Sequence, residues 1–204
     1  MSFYRERVLP HLVDKACGSR ELGEWRGRVT LGLAGAIVEI GFGSGRNVPM
    51  YPPAVVQVFA VEPALVARRL AAPRMAKSHA TIVHVGLDGQ SLPLEDASCD
   101  GALSTFTLCT IPDAAGALRE LRRVLRPGGR FHFLEHGLAP EPAVAAWQHR
   151  LEPWQRRVAG GCHLTRDPAA MVRAAGFVVE RFESRYTRGP RPWSYMTEGF
   201  AVSP

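Results

Sequence analysis

Residues 36–47 read AIVEIGFGSGRN: a short apolar run holding one acid, passing straight into glycines at alternate positions. An apolar run of that length, closed by glycine, reads as a fully buried strand ending in a bare-backbone turn. A buried parallel strand needs a crossover of a dozen or more residues to reach its neighbour, so this one stretch constrains the rest of the chain. The following segments have the right character. Residues 55–61 (VVQVFAV) form a second β-rich run ending at Glu62-Pro63, and 64–72 read as a helix. Residues 81–85 (TIVHV) give a third strand leading into the loop GLDGQSLPLEDAS, and 100–105 (DGALST) a fourth, weaker one. An amphipathic helix spans 113–125, with Asp113 as its cap and Leu118, Leu121, Val124 and Leu125 on one face. RPGG at 126–129 stops it, and 130–135 (RFHFLE) is the fifth strand. Asp167-Pro168 opens another helix, and 177–182 and 195–202 are late strand candidates.

Ahead of all this, residues 2–30 read as amphipathic helix, with Val8, Leu9, Leu12 and Val13 at helical spacings and breaks at Gly18 and Gly23. Strands alternating with helices predict an α/β fold with a mostly parallel sheet. The chain is expected to be a single domain over 1–204, a helical cap region over 1–35 and a core over 36–204. Ligands of such sheets bind beyond the carboxyl ends of the strands, near the point where strand order reverses. The chemistry is therefore expected in the loops after the first four strands.

The glycines suggest a nucleotide-type cofactor. A dinucleotide loop wants G-x-G-x-x-G, but Gly41, Gly43 and Gly45 are spaced by two and Arg46 stands where the third glycine should fall. Glu39 lies two residues before Gly41, where a carboxylate does not help a pyrophosphate. It suits the cationic ammonium and sulfonium of S-adenosylmethionine, either directly or by holding loop amides in place. Glu62, ending the second strand, can accept from two ribose hydroxyls, which serves NAD and S-adenosylmethionine equally.

The third loop separates the two. Asp88-Gly89-Gln90, then Leu92-Pro93-Leu94 and Asp96 through Asp100, resembles the G-D-A-x-x-L-P-F…F-D segment of class I S-adenosylmethionine-dependent methyltransferases, and VLRPGG at 124–129 resembles their approach to the fifth strand. Leu87 stands where that family often has glycine. The resemblance covers about residues 36–136 and implies a doubly wound, seven-stranded Rossmann-like methyltransferase fold. It implies S-adenosyl-L-methionine as cofactor and S-adenosyl-L-homocysteine as product. By the same resemblance Glu39, Gly41, Gly43, Gly45, Asn47, Glu62, Pro63, Asp88, Gly89 and Thr105 bind the cofactor, with Asp88 accepting from the adenine amino group and the next backbone N–H donating to the ring.

YPP at 51–53, TFTLCTI at 105–111, FLEHG at 133–137 and QHRLEPWQRRVAGGCHLTRD at 148–167 are similar to the methyltransferase-like alkyl-thiol methyltransferases and their bacterial relatives. Broader likeness extends to the ubiquinone-biosynthesis (type 11, UbiE-like) and phospholipid methyltransferases. These imply a small, apolar-tailed acceptor with a thiol favoured, and as alternatives a lipid or quinone C-, O- or N-methyltransferase or an RNA methyltransferase. The thiol-methylating animal members carry an apolar membrane anchor, whereas this chain starts with MSFYRERVLP, charged and without a signal-peptide pattern. His136, after the fifth strand, is the candidate general base. Tyr4, His11, Trp25, Cys109, Cys162 and His163 are candidates for the acceptor pocket, and Glu135 for a loop brace.

Composition sets the outer limits. No run in the 204 residues approaches the roughly 18–20 apolar residues of a membrane span, so cytoplasm is the expected location, with peripheral membrane contact left open. The formal charge of +6 is almost all arginine, scattered and not interleaved with aromatics as a strand-binding groove requires. Solvated helix faces are the simpler explanation, and no nucleic-acid partner is expected. Oligomeric state is open. Cys17, Cys99, Cys109 and Cys162 show no C-x-x-C spacing, so free thiols and no metal site are expected.

Overall fold

The structure, a computed structural model, describes residues 3–204. A π-helical turn (Tyr4–Val8) runs into α1 (Leu9–Ala16), and α2 (Arg20–Thr30) follows. Ser19 starts α2 by accepting from the Leu22 N–H. Of the two glycines expected to break this region only Gly18 does so. Gly23 lies inside α2, where a methyl group would meet nothing within 4 Å.

The five parallel strands are β1 (Gly35–Ile40), β2 (Val55–Val61), β3 (Thr81–Gly86), β4 (Cys99–Thr105) and β5 (Leu125–His136). Two more, β6 (Val178–Tyr186) and β7 (Tyr195–Val202), complete a seven-stranded sheet in the order β3-β2-β1-β4-β5-β7-β6. β7 runs antiparallel to both its neighbours. Strand order reverses between β1 and β4, where Glu39 of β1 pairs in register with Leu103. That reversal opens the crevice at the carboxyl ends of the strands.

The crossovers are α3 (Leu65–Met75), α4 (Ala114–Val124), α5 (Pro142–Val158) and α6 (Pro168–Ala174), and a one-turn α7 (Arg191–Ser194) precedes β7. Asp113 and Asp167 cap α4 and α6 through the Gly116 and Ala170 N–H groups. Two apolar clusters result. Leu118, Leu121 and Val124 of α4 meet Phe131, Phe133, Val172 and Phe177 in one. Trp25 and Val29 of α2 and Ala71 of α3 meet Ile37, Val58, Leu103, Leu134 and Met196 in the other.

Two local expectations need correction. RPGG ends α4, but the chain becomes extended at once, so β5 begins at Leu125. Gly128 and Gly129 there exchange hydrogen bonds with Ser203, and the pairing with β4 shifts register between Cys99 and Gly101. The segment holding QHRLEPW is a helix of 17 residues, α5, that the sequence did not announce. It has few buried apolar positions, and Trp147 and Trp154 face outward.

Candidate active site

The glycine loop leaves β1 through left-handed backbone. At Gly41 (φ +67°) a Cβ would lie 1.9 Å from Thr107 Oγ1, so the chain's own packing demands glycine there. Gly43 (φ +56°) differs: its Cβ direction meets nothing nearer than the Gly41 carbonyl at 3.7 Å. The Gly43 N–H donates to Glu62 Oε2 and the Ala64 N–H to Oε1, both at 2.8 Å, so one carboxylate ties the loops after β1 and β2 together. Burial pushes the Glu62 carboxyl up, opposed by these amide bonds. Pro63 follows, exposed at the loop edge. In the third loop Asp88 is exposed, its Oδ1 accepting from the Gln90 N–H at 2.8 Å, while Gly89 is buried against Ile40 and Ile111.

Glu39 is fully buried and its partners are side chains. Asn47 Nδ2 donates to it at 2.9 Å and the Tyr51 hydroxyl donates to its other oxygen. Asn47 in turn accepts from Arg26 Nη1 and donates to Thr105 Oγ1, and Arg26 also donates to Thr105, at 2.8–3.0 Å. Of the two roles open to Glu39, bracing is the one its contacts display. Burial pushes its carboxyl up to about 7, with Tyr51, Asn47 and Arg26 pulling the other way. Arg26 sits over the Phe106 ring, 5.1 Å from its centre, and its Nε is buried without a partner among the described residues. Phe106 has φ +57°, a left-handed conformation that a bulky residue adopts only where the surroundings enforce it.

Beyond Phe106 lies a second set of groups. Its ring centre is 5.6 Å from that of His136. The His136 Nδ1 lies 3.8 Å from Cys162 Sγ and 4.0 Å from Cys109 Sγ. Cys109 and Cys162 are buried and His136 half-buried. The Cys162 thiol is pulled down by the neighbouring Cys109 thiol and by His136, against burial, while Cys109 is pushed up by the same neighbour and by burial. Burial lowers the His136 imidazole, but Cys162 and Glu135 together pull it the other way and the net shift is upward. Glu135 braces this loop: it accepts from Ser104 Oγ at 2.7 Å and from the N–H groups of Thr107, Leu108 and Cys109.

Among the sequence-nominated acceptor residues, Cys109 and Cys162 thus come together with His136, and the others do not join them. His163 bonds Glu152 Oε1 at 2.8 Å and anchors its own turn. Trp25 is a core residue of α2 whose ring lies 4.7 and 4.5 Å from the Arg28 and Arg185 guanidiniums. His11 is exposed on α1, and the Tyr4 hydroxyl donates to the Val158 carbonyl. Two residues escaped notice in the sequence. Arg26 lies on a helix whose mean pattern is polar, and Asp14 looks like any exposed acid. Asp14 nevertheless accepts from Arg46 and Ser44 and pairs with Arg74, clamping α1 onto the glycine loop. Arg46, where a dinucleotide loop has glycine, is therefore the anchor of the helical cap.

The methyltransferase domain family matches residues 38–133. Human thiol S-methyltransferase TMT1B is 32% identical over 170 residues, covering 80% of this chain and 67% of that protein. The chain spans about two thirds of the length of the thiol S-methyltransferases it matches. The ubiquinone/menaquinone biosynthesis C-methyltransferase UbiE of Caulobacter vibrioides is 52% identical over 61 residues, which is 29% of this chain and 24% of UbiE. Haemonchus contortus phosphoethanolamine N-methyltransferase 2, solved in complex with S-adenosyl-L-methionine, superposes with a TM-score of 0.71 at 13% identity, covering 100% of this chain and 60% of that one. At that identity the superposition speaks to fold alone.

Proposed function

From membership of the class I S-adenosylmethionine-dependent methyltransferases, to which this chain belongs, we propose that it methylates the sulfur of a small, apolar-tailed thiol. The bound sulfonium supplies an already activated methyl group. The protein's task is then to hold the acceptor in line with it, which is worth several kcal/mol of barrier.

Two features suit the donor. Gly43 leaves open space beside bare backbone, and at the same end of the sheet the Arg26 Nε is buried with no hydrogen-bond partner among the described residues, which suits an anionic group. In this reading Gly41, Gly43 and Gly45 form the cradle wall, and Glu62, with Pro63 shaping its loop, receives ribose hydroxyls. Asp88 and the Gly89 region hold the adenine, while Asn47 and Thr105 fix Arg26 through the network that Glu39 braces.

The thiol assignment rests on one observation: the sulfur and nitrogen atoms of Cys109, Cys162 and His136 gather beside Phe106, in a chain similar to thiol S-methyltransferases. His136 is the base this reading nominates, and a thiol with pKa near ~8.5 needs little help to lose its proton. Labelled S-adenosylmethionine offered with a panel of alkyl thiols, phenols, quinols and amines tests the reading. Label in the thiols supports it; label only in the other acceptors overturns it. Among the described residues no helix is long and apolar enough to cross a membrane.

A further inference from the structure

Three soft donor atoms meet beyond Phe106. The sulfurs of Cys109 and Cys162 and a nitrogen of His136 all lie within 4.8 Å of one another, with the N···S separations at 3.8 and 4.0 Å. A tetrahedral zinc ion, with bonds of about 2.3 Å to sulfur and about 2.0 Å to nitrogen, keeps such ligands roughly 3.5 Å apart. A contraction of a few tenths of an ångström at each side chain would enclose the ion.

Cys109 and Cys162 come from two different loops and His136 from the end of β5, and both loops are pinned. Glu135 gathers the amides of Thr107, Leu108 and Cys109. The His163 N–H donates to the Cys109 carbonyl at 2.8 Å, which stitches the turn of Cys162 to the loop after β4. Arg166 bonds the Leu108 and Ile111 carbonyls, and Glu152 holds His163 and Thr165. Buried cysteines packed merely as small apolar groups would need no imidazole nitrogen facing both sulfurs.

We propose that Cys109, Cys162 and His136 form a three-ligand zinc site whose open fourth position takes the sulfur of the acceptor thiol. Three protein ligands with one exchangeable position is the composition of a catalytic zinc site, whereas structural sites are closed by four. Two thiolates and an imidazole suit zinc over magnesium or calcium. Binding is a ligand exchange: the metal–water bond breaks, the metal–sulfur bond forms, the thiol proton leaves to solvent, and no electrons change hands. A coordinated thiol is deprotonated outright, so in the metal-bound protein His136 serves as ligand and not as base. Because Phe106 touches both His136 and Arg26, the sulfur would be held next to the donor cradle. The metal site itself stands on geometry, and its role rests on the thiol reading.

Cobalt(II) titrated into the full chain, freed of metal by chelation under reducing conditions, tests both parts. The expected result is one equivalent bound, with tetrahedral visible bands and a sulfur-to-cobalt charge-transfer band. Cys109→Ser and Cys162→Ser should each roughly halve that band, and weaken binding by more than the roughly 10–100-fold typical of outer-partner changes. Cys99→Ala, at the opposite end of β4, should leave the spectrum unchanged, and circular dichroism reports whether each variant folds. Adding a short alkane thiol should shift the bands, and the matching alcohol should not. No retained cobalt or zinc, or a spectrum indifferent to both serine variants, overturns the site. Bands unmoved by thiol overturn its role. Thiol methylation by metal-free protein overturns the inference and leaves the proposed function standing, whereas a metal-bearing enzyme that methylates only phenols or amines overturns the thiol reading.

Discussion

Glu39 shows how one buried carboxylate can organise its surroundings, through Asn47 and Tyr51. Its pKa is pushed to about 7 by burial, from 4.5 for an exposed glutamate. Between those values the folded chain holds a proton that the unfolded chain has released. Stability therefore falls as pH rises from about 4.5 to 7 and is level above. We expect urea unfolding to reveal this slope, amounting to at most about 3 kcal/mol, and the Glu39→Gln variant to lack it. Glu62 acts one strand over. Glu62→Ala frees the Gly43 and Ala64 amides, so calorimetry with S-adenosylhomocysteine should show affinity lower by roughly 10–100-fold, a loss of about 1.5–3 kcal/mol. Residues of this kind were legible because they sit inside or at the end of a recognisable strand. Arg26 was not: a lone arginine on a polar helix reads as solvated, and only the packing of α2 against β5 and β7 turns it inward.

At the scale of elements, the N-terminal helices are held by charge as much as by apolar contact. α1 buries no residue fully, and Asp14 supplies its link to the loop after β1. Asp14→Ala should raise amide exchange across residues 4–16 while leaving β1 protected, at a stability cost of about 1–2 kcal/mol for these partly exposed groups. An unaltered exchange pattern would show that apolar contacts alone seat the helix. The strands were readable because VVQVFAV and its companions combine β-branched residues with glycine or proline punctuation. α5 escaped because its sequence carries Pro153, outward tryptophans and no apolar stripe. The meeting of Cys109, His136 and Cys162 was invisible for another reason: the three lie 26 and 27 positions apart, and no short-range spacing signals a site assembled by two loops and a strand end.

Across the whole molecule the arginine excess is put to a use that composition does not reveal. Arg68 donates to the Glu62 and Gly86 carbonyls, Arg74 to Ser44, Arg123 to Leu92 and Leu94, and Arg166 to Leu108 and Ile111. These are carbonyls of the loops around the crevice, so much of the +6 charge stiffens the site. A gel shift with mixed RNA at physiological salt should accordingly show no complex, and a salt-dependent shift would restore the polyanion reading. The same stiffness is what an enzyme that works by positioning requires, and it places the burden of specificity on the acceptor side. The most direct measurement is the ratio of kcat/KM for a matched pair, an alkane thiol and the alcohol of the same chain length, with S-adenosylmethionine saturating. A thiol preferred by at least about 100-fold, a transition-state difference of roughly 2.7 kcal/mol, is the predicted result. Equal ratios, or a preference for oxygen, would contradict a site built around sulfur.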